Sequence, residues 1–517
     1  MMNNQGRPSS PDRNITVTEG PQTITGNQGL DIFEPLLYEI GSPTKTGVDL
    51  EEAGEFECSL GGLERTAPIG LVGLSEPDTM RHYTRLSRKN YAIDMGVYPL
   101  GSCTMKHNPR LNEKVARLPG FADVHPLQPQ STVMGALKVM DELAHWLKEL
   151  TGMPAVALSP KAGAHGELCG LMAIRAAQEA AGNPREFVLV PESAHGTNPA
   201  TAAQCGYKVK TIPAGPDGRV DLAAIKEQLD ESVAAIMLTN PNTCGLFERD
   251  IKEIADAVHE VGALFYCDGA NFNAIMARVR PRDLGIDAMH INLHKTFSTP
   301  HGGGGPGSGP VVFSDRCAPF IPMPEVVSDE NGLRLVEHAA DGSQSFGRLT
   351  AFHGQMGMYT RALTYMLSHG ADGLKQASED AVLSANYVMA SLSDVMTASF
   401  EGPCMHECLF DDRFLKGTGV ETLDFAKAMI DEGYHPMTMY FPLVVHGAML
   451  IEPTESESKH NLDQFIGAMR GLVDAAKAGE DRFKGAPYYA PLRRLDETGA
   501  ARAPVLRWTE PTGKAAE

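Results

Sequence analysis

Five short β-rich runs, at 187–190, 234–239, 263–267, 289–293 and 311–313, alternate with helical patterns at 166–181, 221–229 and 251–261. Few folds accommodate that order. Strands joined through helices pair in parallel, and a parallel sheet is covered by helices on both faces. The expected fold class is α/β with a mainly parallel sheet. Ahead of these runs, Ser131 and Thr132 open a pattern of apolar residues at Val133, Leu137, Met140, Leu143, Leu147 and Leu150 that ends at Gly152, which predicts an amphipathic helix. After them, 351–396 has helical periodicity, and 397–475 mixes strands at 439–441 and 448–451 with helices, as in a smaller α/β domain. Residues 31–60 and 105–121 read as irregular arms. The expected units are a tail and arm over 1–130, a large domain over 131–370, a small domain over 371–485 and a C-terminal tail over 486–517.

The chain of 517 residues carries 65 acidic and 45 basic side chains, a net charge of -20, which disfavours nucleic-acid and anionic-membrane surfaces. Its longest apolar stretches, such as 234–238, fall far short of the roughly 20 residues that cross a bilayer. The opening MMNNQGRPSSPDRN has no apolar core of an export signal and reads as a disordered tail. Nine scattered cysteines without a CxxC pair suit a reducing cytoplasm. Cys404 and Cys408 flank His406, but such trios are mostly core or surface residues, and no metal is expected.

The densest chemical signal is HINLHKTFSTPHGGGGPGSGP at 290–310, where a strand delivers His294 and Lys295 into a turn followed by six glycines in eight residues. A desolvated lysine amine forms imines with aldehydes, which is how pyridoxal phosphate is tethered, and a glycine backbone admits close approach. A lone lysine is ordinarily just solvated. Upstream, in ALFYCDGANFNA, Asp268 ends an apolar strand, where a carboxylate is costly without a charged partner such as a protonated pyridine nitrogen. Asp-Gly is equally a common turn.

In SPKAGAHGELCGLMAIRA at 159–176, a small-residue turn, Ala162, Gly163, Ala164 and His165, runs into a helix whose first amides and dipole favour an anion. Neither nucleotide-binding glycine motif occurs there. His195, in PESAHGTNPATA, and Asn240, in LTNPNTCGLFE, follow strands, where a flat imidazole could lie over a pyridine ring and an amide could donate to its oxygen. Both motifs also contain ordinary turn dipeptides. Concurrence shifts the balance: five loops on one sheet edge bring an anion pocket, a flat ring, an amide, a carboxylate and an amine.

These motifs, with YPLGSCTMKHNP (98–109), HPLQPQST (125–132), YFPLVVHGAMLIEPTESESK (440–459) and ARAPVLRW near the end, resemble the P-protein family of the glycine cleavage system, in its second-subunit form. The resemblance runs from about residue 36 onward. It implies a fold type I pyridoxal phosphate enzyme, with Lys295 forming the Schiff base, Asp268 on the ring nitrogen, His195 stacked on the ring and Ala162, Gly163, Ala164 and His165 on the phosphate. Asn240, Ala270 and His294 are carried along as cofactor neighbours, while Ser102, Cys103 and Glu455 receive no role. It further implies decarboxylation of glycine, transfer of the aminomethyl group to the lipoyl arm of H-protein, and a two-by-two heterotetramer with P-protein subunit 1. Selectivity for glycine would come from a pocket too small for larger amino acids. The rivals are another fold type I aminotransferase or decarboxylase, a non-catalytic partner subunit, and an α/β protein whose glycine run is only a linker.

Overall fold

The computed structural model describes residues 23–24, 34–48, 50–51, 54, 57, 59–67, 69–125, 128–301, 307–330, 332–490 and 492–507. The N-terminal tail, Cys58, glycines 302–305 of the glycine run and the last ten residues lie outside these. Seven strands, β1 (Ala155–Ala157), β2 (Phe187–Pro191), β3 (Lys208–Ile212), β4 (Val233–Thr239), β5 (Leu264–Gly269), β6 (Ala288–Ile291) and β7 (Val311–Phe313), form one sheet in the order β1-β7-β6-β5-β4-β2-β3. β3, β2, β4, β5 and β6 are parallel, and β7 runs antiparallel to β6 and β1. All five expected runs are therefore strands. β1 is only three residues long, and the edge strand β3 (KVKTI) places lysines at 208 and 210 with Thr211 between them and Ile212, so neither shows a long apolar run.

The sheet is buried on both sides. Leu189, Ile236, Phe265, Cys267 and Met289 pack into one core, and their strand neighbours Val188, Ala235, Met237, Tyr266 and Ala288 into another. That period-two division explains why β4, VAAIMLT, is buried throughout and carries no polar alternation. The helix Met134–Thr151 buries Leu137, Met140, Leu143 and Leu147 of the expected apolar stripe, leaves Val133 and Leu150 half-buried, and stops at Gly152, whose φ of 72° is the left-handed C-terminal conformation. Helices Gly163–Ala180, Leu222–Gln228 and Ile251–Glu260 are the expected crossovers.

A hairpin, β8 (Glu325–Asp329) and β9 (Gly332–Val336), leads into the long helix Met356–Leu392. Beyond it, β10 (Thr397–Ala398), β11 (Cys408–Asp411), β12 (Thr438–Met439) and β13 (Met449–Ile451) form a second, antiparallel sheet ordered β10-β11-β13-β12. The long helix kinks at Gly370 (φ 62°, ψ -177°); its residues through Ala377 pack into the large-sheet core, and those from Ala385 onward into the core of the second sheet.

One expectation is corrected. The stretch 105–121 contains the helices Arg110–Ala116 and Pro119–Ala122, and Lys106 and Asn112 are buried. Its prolines break the periodicity, and the order comes from tertiary partners such as the Arg361 guanidinium, which donates to Glu113 at 2.8 and 3.1 Å. Among the described residues, no helix is long and apolar enough to cross a membrane.

Candidate active site

Parallel register builds one side of the site. Thr239 at the end of β4 lies beside Asp268 of β5, and Asp268 beside His290 of β6. Asp268 is almost fully buried, and its carboxylate accepts from Ala270 N at 2.9 Å and Asn198 Nδ2 at 3.1 Å, with His290 Nε2 at 3.3 Å. Burial pushes this carboxyl up, but His290, the Ala270 amide, Asn198 and the Lys295 charge outweigh it and hold it below its ordinary value. Tyr266 hydroxyl and His290 Nδ1 meet at 2.6 Å, which orients the imidazole.

After β6 the chain makes one helical turn, Leu293–Thr296, so Lys295 stands one turn beyond the strand end. Its amine donates to the Ser102 carbonyl at 2.7 Å. Around it, burial lowers His294 to about 3 and His301 to about 4, with the Lys295 charge adding to both, so both rings are neutral near pH 7. The two rings meet edge to face at 5.0 Å; His294 Nδ1 faces Ser308 N at 3.4 Å, and His301 Nε2 meets the Cys103 carbonyl at 2.9 Å.

The helix Gly163–Ala180 begins at Ala162 without a side-chain cap, leaving the amides of Gly163, Ala164 and His165 to point outward. A Cβ on Gly163 would lie 2.8 Å from Asn292 Oδ1 and 3.2 Å from His290 Nε2, so the turn and the floor of the site share a tight space. His165 Nδ1 accepts from Lys161 N at 3.2 Å. His195 is exposed at the mouth, with Nδ1 2.9 Å from Thr197 Oγ1 and its ring edge to face with Phe441 at 5.9 Å. Asn240 Oδ1 accepts from Glu248 N at 3.0 Å, while its buried Nδ2, like Thr239 Oγ1, has no protein partner among the described residues.

Lys295, Asp268, Ala270, His294, Asn240, His195 and the 162–165 turn thus lie along one edge of the sheet, at the carboxyl ends of its parallel strands. Several participants escaped the sequence reading. Asn198 sits in the first turn of the helix Thr197–Gln204 that follows His195, and Glu167 is a carboxylate among small residues in the first turns of its helix, a buried-charge signal that reading could have caught. Glu167 accepts from Thr197 Oγ1 at 2.6 Å and Thr201 Oγ1 at 3.2 Å; burial and the nearby Asp268 raise it to about 7. Lys106 had no local signal. Its buried amine donates to Glu455 at 2.6 Å, Asn273 Oδ1 at 2.7 Å and the Thr296 carbonyl at 2.8 Å, tying the 98–109 segment to the turn that carries Lys295. His406, Glu407 and Glu452, all fully buried, bring ligand-capable atoms within 4.8 Å of one another. Cys404 and Cys408 are buried thiols beside them.

The edge fits pyridoxal 5'-phosphate: an uncapped helix start for a phosphate, an unpartnered amide donor and hydroxyl on the strand ends, a buried ionised carboxylate and a lysine amine. A family model described as "Aminotransferase class-V" matches residues 168–304, and one described as "Glycine dehydrogenase, C-terminal domain" matches residues 377–484. The crystal structure of glycine decarboxylase (P-protein) of the glycine cleavage system, in inhibitor-bound form, superposes with a TM-score of 0.67 at 22% identity, covering 80% of this chain and 93% of that one. Cysteine desulfurase CsdA from Escherichia coli gives a TM-score of 0.55 at 16% identity over 74% of this chain and 95% of the other. At these identities the likeness is one of fold, an α/β architecture of the aminotransferase class-V kind.

Sequence relatives are far nearer. "Probable glycine dehydrogenase (decarboxylating) subunit 2" of Kosmotoga olearia is 52% identical, covering 91% of this chain and 99% of the relative. The protein of the same name in Caulobacter vibrioides is 69% identical over 513 residues, 98% of each chain. Identity of this level over nearly the whole length of both chains means that the chain belongs to the family of glycine dehydrogenase (decarboxylating) subunit 2.

Proposed function

We propose that this chain decarboxylates glycine with pyridoxal 5'-phosphate and passes the remaining aminomethyl group to the lipoyl arm of H-protein, working in the cytoplasm in a two-by-two assembly with P-protein subunit 1. The observation that carries the reading is Asp268, a buried carboxylate held ionised at the same sheet edge as the Lys295 amine. A buried anion there is the complement of a protonated ring nitrogen. When bound, the cofactor supplies an electron sink for the carbanion left as carbon dioxide departs.

The chain's own residues bind, orient and move protons. Lys295 would hold the aldehyde carbon and, once displaced by the amino group of glycine, stand as a free amine that gives or takes a proton. The amides of the 162–165 turn would hold the phosphate, Asn240 Nδ2 would donate to the ring oxygen, and His195 would lie over the ring. Ala270 contributes its amide to Asp268, and His294, neutral beside Lys295, adds no competing positive charge. Absence of a substrate side chain suggests selection by overlap, and decarboxylation of alanine or serine at a rate comparable to glycine would sink that part.

The test is twofold. Purified protein should show a visible absorption band that Lys295→Ala removes, and labelled bicarbonate should exchange into glycine only when H-protein and the first subunit are present. A colourless wild-type protein, or exchange indifferent to H-protein, overturns the reading.

A further inference from the structure

The segment Pro99–Thr104 meets Lys295 on one side and the second sheet on the other. Ser102 (φ 65°) and Thr104 (φ 46°) both adopt left-handed backbone conformations, costly for side chains with a Cβ and more so for the β-branched threonine. Two carboxylates hold them there. Ser102 N donates to Glu407 Oε2 at 2.7 Å; Thr104 donates to Glu452 through N at 2.9 Å and through Oγ1 at 2.5 Å.

These glutamates are an expensive pair. Cys408 of β11 pairs with Ile451 of β13 in antiparallel register, so Glu407 and Glu452 fall opposite each other one step further along, both fully buried. Facing like charges destabilise a sheet, and burial compounds the cost. Burial, and then the facing Glu452, push the Glu407 carboxyl well above the ordinary carboxylate range. The rest of the sheet grips the same segment: Leu100 bridges Ile451, Thr438 Oγ1 donates to the Gly101 carbonyl at 2.8 Å, and a Cβ on Gly101 would lie 2.6 Å from the Leu450 carbonyl. On the far side, the Ser102 carbonyl receives the Lys295 amine.

We propose that Glu407 and Glu452 are positioning residues for Lys295: they pin the Ser102–Thr104 turn in its left-handed form, so that the second sheet presents the Ser102 carbonyl to the lysine amine. This rests on the reading of Lys295 as the cofactor lysine. Neither glutamate touches the amine itself.

The experiment uses the full chain with its partner subunit, stripped of pyridoxal phosphate and then resupplied. Two quantities are read from the visible band: the rate at which it returns and its pH midpoint. Thermal melting reports the fold. Glu407→Leu should slow the return about tenfold or more and move the midpoint, because misplacing a reacting group is costly. Glu407→Gln still accepts from the Ser102 amide and should stay within about twofold of wild type. Adding Ser102→Gly to Glu407→Leu should recover much of the rate, since glycine takes positive φ without strain. Thr104→Val, a near-isosteric change, should slow the return by about threefold. A folded Glu407→Leu protein with wild-type rate and midpoint overturns the proposal, as does a Gln variant as slow as the Leu variant, or no recovery in the double variant. If Glu407→Leu does not fold, Thr104→Val decides: an unchanged rate and midpoint overturn the proposal. A wild-type protein without any visible band would instead defeat the cofactor reading beneath it.

Discussion

Asp268 shows how neighbours reverse what burial alone would do. Desolvation favours its neutral form, yet His290, two hydrogen-bond donors and Lys295 hold it ionised. Replacing it with Asn removes the fixed negative charge under the proposed ring nitrogen, and glycine decarboxylation should fall by about two to three orders of magnitude, measured as carbon dioxide release with H-protein. Glu167, on the same wall, goes the other way. Burial and Asp268 raise it to about 7 from an ordinary 4.5, so the folded protein binds the proton more tightly than the unfolded chain. Its stabilising effect is full below 4.5 and fades as pH rises through about 7. Glu167→Gln should therefore flatten the fall of melting temperature between those pH values in cofactor-free protein; an unchanged profile refutes the shift. Lys295 and Asp268 were legible because a strand-end amine and a strand-end acid stand out against apolar runs. Asn198, His290 and Lys106 were not, because an amide, a histidine inside a strand and a lysine in a proline-rich segment acquire their meaning only from what folds against them.

Elements reveal how position is enforced. Asp287, immediately before β6, accepts from His259 Nε2 at 2.8 Å, Phe265 N at 2.9 Å, Ser314 Oγ at 2.8 Å and Arg316 Nη1 at 3.1 Å, tying β5, β6 and β7 together. Burial opposes its charge, but the His259 bond, the Phe265 amide and the other donors prevail and depress it below the ordinary 3.8. That stabilisation is present above 3.8 and is lost as pH falls through the depressed value. Asp287→Asn should cost about 3–5 kcal/mol at pH 7, by urea denaturation, and should blunt the steepest part of acid unfolding. Gly370 kinks the long helix in a backbone region open almost only to glycine, with empty space where a Cβ would go. Gly370→Ala should then cost about 1–3 kcal/mol through backbone strain alone, again by denaturation. We propose that the two domains part within this helix, between Ala377 and Ala385, a few residues past the border expected at 370 and 371. Periodicity found the helix, but a kinked helix keeps one pattern across two cores, so it could not find the border.

At the scale of the whole molecule, the large sheet supplies the proposed cofactor edge and the second sheet reaches back through Pro99–Thr104 and Lys106–Glu455 to hold it. A chain with this division of labour should bind pyridoxal phosphate by itself yet turn over glycine only with its first subunit and lipoylated H-protein; full turnover by the isolated chain would contradict the proposed assembly, and light scattering of the mixture would report its stoichiometry. By itself, the order of β-rich and helical segments determined the α/β class and a mainly parallel sheet covered on both faces, since strands joined through helices leave little other choice. Strand-end residues and the small-residue turn marked Lys295, Asp268 and 162–165 as candidates, and the family motifs agreed with that choice. Only the tertiary structure decided what surrounds them. The left-handed turn at Ser102, the facing glutamates and the Lys106 hub join residues hundreds of positions apart, and each is locally unfavourable, a strained backbone or a buried charge. No pattern of propensity encodes such contacts, because they persist only where partners from distant segments compensate them.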